Sequence, residues 1–213
     1  MISLRLLAAA LVLALAACGN DTSQPKAGAA LYKQLTARFA QGDDQSPPTR
    51  DQLRAAITPE FRAETGNKPL LLASSQRVPV SSILTMFAQN GEVRTYMTPD
   101  QISFSLRRGI LIASRGLGND LMSADVSGVL ARIRAGSGRA VRVHTYLDGE
   151  DQLVDHRFDC AYSRAETGEV LERCEGPTAS FTNRYTLNRA GGIAVSVQWI
   201  SPGLQSYLIE DLG

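Results

Sequence analysis

Ser82-Ile83-Leu84-Thr85-Met86-Phe87-Ala88-Gln89, then Asn90-Gly91, then Glu92-Val93-Arg94-Thr95-Tyr96-Met97 is the stretch that decides the fold. Two runs rich in apolar, β-branched and aromatic residues flank an Asn-Gly pair. Asn and Gly tolerate the positive φ that a tight hairpin turn demands, so this is a strong short-range signal for antiparallel pairing. The pattern recurs downstream. Residues 102–106 and 110–114 flank Arg107-Arg108-Gly109, and apolar runs at 139–147, 152–162, 169–174, 180–187, 192–200 and 205–209 are separated by turn residues such as Asp148-Gly149. About ten short strands joined by tight turns predict a mainly β fold, an antiparallel β-sandwich or barrel-like meander.

Upstream of the strands the period is helical. Leu31, Leu35 and Phe39 recur every four residues, predicting an amphipathic helix over 28–41, and residues 42–48 break it. Thr49 and Gln52 have the spacing of a capping box, which predicts a second helix that stops before Pro59. Val126, Val129, Leu130 and Ile133 predict a third over 123–134. The expected architecture is therefore one β-rich domain, residues 28–213, with two or three accessory helices.

The first 27 residues read as an address. Arg5 supplies a positive start and residues 6–15 an apolar core of signal-peptide length, too short for a permanent span. The run ends in Leu15-Ala16-Ala17-Cys18, which resembles the lipobox cut before a lipidated cysteine. The competing reading is an ordinary cleavable signal using Ala14 and Ala16. The lipobox predicts a signal peptide at 1–17, an acylated Cys18 and a small, polar tether at 18–27. Two or more acyl chains at about 0.8 kcal/mol per methylene make such anchoring stable. With Gly19 after the cysteine, the default for a lipoprotein of this kind is the outer membrane, facing the periplasm.

Cysteine arithmetic agrees with export. Of three cysteines, lipidation of Cys18 leaves Cys160 and Cys174. They lie on two runs joined by the loop Glu166-Thr167-Gly168, and pairing Ala165 with Glu169 sets Cys160 opposite Cys174, a geometry suited to a disulfide in an oxidising compartment. A metal or redox pair is the competing reading, but the chain has no Cys-x-x-Cys and only two histidines, His144 and His156. No metal or cofactor is predicted.

Composition narrows the function classes. The chain has 213 residues, 22 Lys+Arg and 21 Asp+Glu; beyond Arg5, the portion from Cys18 onward is balanced. Nucleic acid is not expected as a partner, because phosphate binding relies on clustered cations. Gly116-Leu117-Gly118 after a strand superficially resembles a dinucleotide loop, but Leu121 stands at the third glycine position and hairpins follow. Acidic residues crowd 148–159 and 166–175, including Glu172, where strand and hairpin positions read as solvated faces. The histidines read as surface or hydrogen-bond-satisfied residues, and Trp199 as core packing rather than an exposed sugar platform. No catalytic residue is predicted.

The lipobox at Cys18, the core Arg115-Gly116-Leu117-Gly118-Asn119-Asp120-Leu121 within 109–121, and the ending Gln198-Trp199-Ile200-Ser201-Pro202-Gly203-Leu204 through Ile209 resemble the YjbF/GfcB-type lipoproteins of exopolysaccharide and group 4 capsule operons. The resemblance covers most of residues 28–213. It implies a β-rich lipoprotein of the outer membrane that assists assembly or export of surface polysaccharide. Implied partners are a polysaccharide-export channel, an outer-membrane barrel protein, or the polysaccharide itself. Arg115, Gly116, Gly118, Asn119 and Asp120 match its signature and form the candidate functional loop. Two other classes compete: a carboxylate-dependent glycan-processing enzyme using Asp120 with Asp125 or Asp155, and a lipid-carrying β-barrel with an apolar cavity.

Overall fold

The structure is a computed structural model that describes residues 47–213. Cys18, the tether and the expected helix at 28–41 lie outside the described residues. Helix α1 (Arg50–Ala55) opens on the expected capping box, in which the Gln52 N–H donates to the Thr49 hydroxyl and the Thr49 N–H donates to Gln52 Oε1 at 2.8 Å. A helix that sequence reading did not anticipate, α2 (Pro59–Glu64), starts at the proline itself, with Thr58 as its cap. Proline is well placed at a first helical position, where its missing N–H is not needed.

Twelve strands follow: β1 (Leu70–Ser75), β2 (Ser81–Asn90), β3 (Val93–Met97), β4 (Ser103–Arg107), β5 (Ile110–Arg115), β6 (Ser123–Asp125), β7 (Gly138–Leu147), β8 (Leu153–Arg164), β9 (Val170–Glu175), β10 (Ser180–Leu187), β11 (Ile193–Ser201) and β12 (Gln205–Asp211). Helix α3 (Val129–Ala135) lies between β6 and β7. All pairings are antiparallel, in the order β5-β4-β3-β2-β1-β12-β11-β10-β9-β8-β7-β6. Apart from β5 and β6, which end the order, consecutive strands pair, β1 zips to β12, and the Ser114 N–H of β5 donates to the carbonyl of Leu121, just ahead of β6, at 2.9 Å. The result is a nearly closed, barrel-like meander, so the mainly β expectation holds in its barrel form.

Two local expectations change. The first hairpin pairs Asn90 with Val93, so its turn is Gly91-Glu92, one residue later than the Asn-Gly reading, with Gly91 at φ 56°. A glycine alone at positive φ in the first turn position suits a type II′ turn. The expected helix over 123–134 splits: Ser123–Asp125 is a strand pairing β7, and helix begins only at Val129. Asp125 accepts the Ser127 N–H at 3.0 Å, a side-chain turn that separates the two elements. Strand β1 is buried on both its faces. Leu71 and Ala73 face the barrel interior, whereas Leu70 and Leu72 join Leu53 of α1, Phe61 of α2 and Ile83 on the outside.

The interior is filled by side chains. One cluster gathers Phe158, Tyr162, Val170, Phe181, Tyr185 and Trp199 from β8 to β11 with Val129 and Ile133 of α3. The other gathers Leu71, Leu84, Tyr96, Phe104, Leu111, Tyr207 and Ile209. Helix α3 thus covers one half of a barrel end. Its partner half stays open.

Candidate functional site

That open half is a pocket of about 310 Å³. It is built by alternate turns of the meander, which antiparallel topology brings to one end: Gly91 and Glu92 from β2–β3, Arg108 and Gly109 from β4–β5, and Asn188, Gly191 and Gly192 from β10–β11. The ends of β12 (Asp211) and α3 (Leu130, Arg134) complete the rim. Leu71, Leu106 and Ile193 form an apolar floor beside Tyr96, whose hydroxyl is pushed above its usual range by burial and by the nearby Asp211 carboxylate. Three guanidiniums reach the pocket. Arg108 is paired with Glu92 and Arg94 lies 4.0 Å from Asp211, while Arg134 has no ion-pair partner among the described residues.

Gly109 shows why the local sequence is what it is. Arg108 and Gly109 both sit at positive φ, 50° and 87°, and a Cβ on Gly109 would lie 2.8 Å from the Cβ of Ile193. Close approach of β5 to β11 is then sealed by Gln198. Its buried amide accepts the Leu111 N–H at 2.8 Å and donates to the Gly109 carbonyl at 2.8 Å, so one side chain serves the edge of β5 as a neighbouring strand would.

Behind α3 lies a fully buried polar network. Arg142, 2% exposed, donates to both oxygens of Glu172, 0% exposed, at 2.7 and 3.1 Å, and to Tyr185 Oη at 2.8 Å. Glu172 also accepts from the Tyr162 hydroxyl, from Asn183 Nδ2 at 2.8 Å and from the Tyr185 hydroxyl at 2.7 Å. Burial alone would push the Glu172 carboxyl up; the Arg142 guanidinium outweighs it and holds the group below its ordinary range. Burial would likewise lower Arg142, but the Glu172 carboxylate keeps it charged. The expectation of a solvated Glu172 is thereby overturned, since its side chain shares the inward face of β9 with Val170 and Cys174.

His144 is buried too, not a surface residue. Its Nδ1 lies 3.0 Å from Tyr146 Oη, which donates to the Ile200 carbonyl at 2.7 Å, so Nδ1 carries the proton and Nε2 is left without a partner. The ring stacks on Phe181, which stacks in turn on Trp199. Burial, aided by repulsion from Arg142, drops the imidazole to about 3, far below the range of a working base near neutrality. Trp199 is core, as expected, at 8% exposed.

The Cys160–Cys174 disulfide is present, with Cys160 opposite Cys174 in the β8–β9 register and Gly168 at φ 88° in the joining loop. A third potential ligand, Glu172, stands close to both sulfurs, but its oxygens are engaged by Arg142 and the two tyrosines.

The loop of Arg115, Gly116, Gly118, Asn119 and Asp120 lies between β5 and β6, at the barrel end opposite the pocket. The Asp120 carboxylate, the Arg115 guanidinium and the Asn119 carbonyl are spent on the loop and its neighbours. Asp120 accepts from the Ser114 hydroxyl at 2.7 Å and the Leu117 N–H at 3.1 Å; Arg115 donates to the carbonyls of Leu121 and Met122, both at 3.0 Å; the Asn119 carbonyl accepts from the Ser201 hydroxyl at 2.6 Å. Gly116 and Gly118 take φ of 89° and 95°. In this arrangement the motif fastens β5 to β6 and to the β11–β12 turn. The structure does not bring the motif and the pocket together.

Sequence reading missed Arg94, Arg108 and Arg134 as a group. The available signal was topological: in an up-and-down meander every second turn falls at the same end.

The family model described as "Group 4 capsule polysaccharide lipoprotein gfcB, YjbF" matches residues 32–212. The chain belongs to this family. Among solved structures, the YjbF-family chain is similar to the hypothetical lipoprotein YmcC from Escherichia coli (K12), with a TM-score of 0.60, 14% identity, and coverage of 81% of this chain and 98% of that one. At that identity the likeness speaks for the shared fold. No curated protein matches significantly.

Proposed function

We propose that this protein is a lipid-anchored accessory of capsule or exopolysaccharide assembly or export, held at the outer membrane through Cys18 and facing the periplasm. It binds a polysaccharide-export channel, an outer-membrane barrel protein or the polymer, without covalent chemistry. The observation that carries the reading is the family match over residues 32–212.

The chemistry of the described residues supports a binding role. Ionisable groups with perturbed protonation, among them His144, Glu172 and Tyr185, are sealed inside the barrel where no polymer reaches them. Asp120, Asp125 and Asp155 are each engaged locally, by Ser114 and Leu117, by Ser127 and by Thr145. The three carboxylates named for the glycan-processing alternative are thus held by local hydrogen bonds. The packed interior likewise gives little support to a lipid carrier.

The test is a gene deletion complemented by tagged full-length protein in the native host. Deletion should lower surface polysaccharide, and pull-down from membranes should recover an export component or polymer. Unchanged polysaccharide together with an empty pull-down would overturn the reading. Altered polymer length on replacing Asp120, Asp125 and Asp155 by Ala would overturn its non-catalytic part.

A further inference from the structure

We propose that the barrel-mouth pocket is a binding site for a carboxylate-bearing sugar residue, with Arg134 as the group that takes the carboxylate. The inference rests on the polysaccharide-linked reading above and names the chemistry of its ligand. A sugar ring presents an apolar face and a polar rim, and the pocket has the complementary layout. The base of the pocket is apolar, with Leu106 and Ile193 keeping a small exposed edge there, and Gln89 and Asn188 bring amides to the rim. The Asn188 oxygen is already used by the Ala190 and Gly192 N–H groups, both at 3.0 Å, which leaves its NH2 to donate to a hydroxyl.

Charge then selects among sugars. The rim holds three guanidiniums and two carboxylates, and both carboxylates are matched within the protein, Glu92 by Arg108 and Asp211 by Arg94. Of the three guanidiniums lining the pocket, Arg134 alone has no ion-pair partner among the described residues. A single excess charge matches the single charge of a uronate better than a phosphate dianion, and a guanidinium presents the planar fork that a carboxylate accepts. At about 310 Å³ the pocket stands at the small end for ligand sites, room for a short stretch of glycan rather than a lipid.

The experiment is equilibrium binding of a glucuronosyl-glucose disaccharide to the lipidated full-length protein in detergent, with the neutral glucose disaccharide and inorganic phosphate alongside. The expected result is saturable binding of the acidic disaccharide in preference to the neutral one, weakened about tenfold or more by Arg134→Gln and partly kept by Arg134→Lys. Arg134 is exposed, so its variants leave the core intact. Asp211→Asn, which releases Arg94, should tighten binding. Equal binding of acidic and neutral sugars, no binding of the acidic one, insensitivity to Arg134→Gln, or phosphate binding as tightly as the disaccharide would each overturn the assignment. None of these touches the deletion and pull-down, so the pocket and the pathway fail separately.

Discussion

Replacing Glu172 by Gln puts the buried network to a quantitative test. The substitution keeps shape and volume but leaves the Arg142 guanidinium, 2% exposed, without its counter-charge. Of the two Arg142 contacts to Glu172, at 2.7 and 3.1 Å, at least one becomes donor against donor. Removing one member of a buried ion pair costs about 3 to 5 kcal/mol, chiefly because the survivor is stranded away from water. For a domain of this size about 1 kcal/mol corresponds to roughly 2–4 °C, so Tm should fall by roughly 6–20 °C. Chemical denaturation with the disulfide intact, at pH 7, gives the free energy directly. Arg142→Met alone should cost a comparable amount, and the Arg142→Met/Glu172→Gln double variant clearly less than the sum, because no orphan charge remains. A loss below about 1 kcal/mol for Glu172→Gln, or strict additivity in the cycle, would refute the view that the pair holds its charges together inside the barrel.

Three more outcomes follow from the same core. Because His144 is lowered to about 3 from 6.5, the unfolded chain binds the extra proton first; stability contributed above pH 6.5 is lost as pH falls from 6.5 toward 3. The slope is about 1.4 kcal/mol per pH unit, or roughly 2–3 kcal/mol by pH 4.5, before the depressed Glu172 begins to lose its own contribution; denaturation curves across that interval should flatten in His144→Phe. Reduction, or the Cys160→Ala/Cys174→Ala pair, opens a loop of sequence separation 14 and should cost about 3 kcal/mol in the chain-entropy account, read as a shifted denaturation midpoint. Gln198→Met should strand the Leu111 N–H and the Gly109 carbonyl, costing about 2–4 kcal/mol and raising amide exchange at Leu111 ahead of the other strands.

The barrel-like fold was legible because its determinants are local. Turn residues such as Arg108-Gly109 and Glu166-Thr167-Gly168, and the register that sets Cys160 against Cys174, are written over a few neighbouring positions. The errors fall where tertiary context decides. Residues 123–125 carry helical periodicity with Val126 and Val129, yet pairing with β7 draws them into a strand. Glu172 and Arg142 resemble exposed charges until the inward face of each strand is fixed; afterwards Val170 and Cys174 on one strand, and Ala140 and His144 on the other, mark the same parity. The pocket was not legible at all, because Arg94, Arg108 and Arg134 meet only once the meander has curled. The Arg115 to Asp120 signature was visible as a motif, and what the structure adds is that its Arg115 and Asp120 side chains are occupied at the far rim.

The seam between β1 and β12 carries a consequence for biogenesis. Register runs from Leu71 opposite Asp211 to Ser75 opposite Tyr207, and Leu212 N–H donates to the Leu70 carbonyl at 3.0 Å. The first strand of the ring therefore waits for the last, and until β12 folds back against it β1 keeps an unpaired, strongly apolar edge. Such a ring closes late and slowly, since its decisive contact joins the most distant strands. A chain of this design needs its open edge shielded while it folds, and deletions trimming β12 should accumulate as aggregated or proteolysed material rather than as a weaker version of the folded protein.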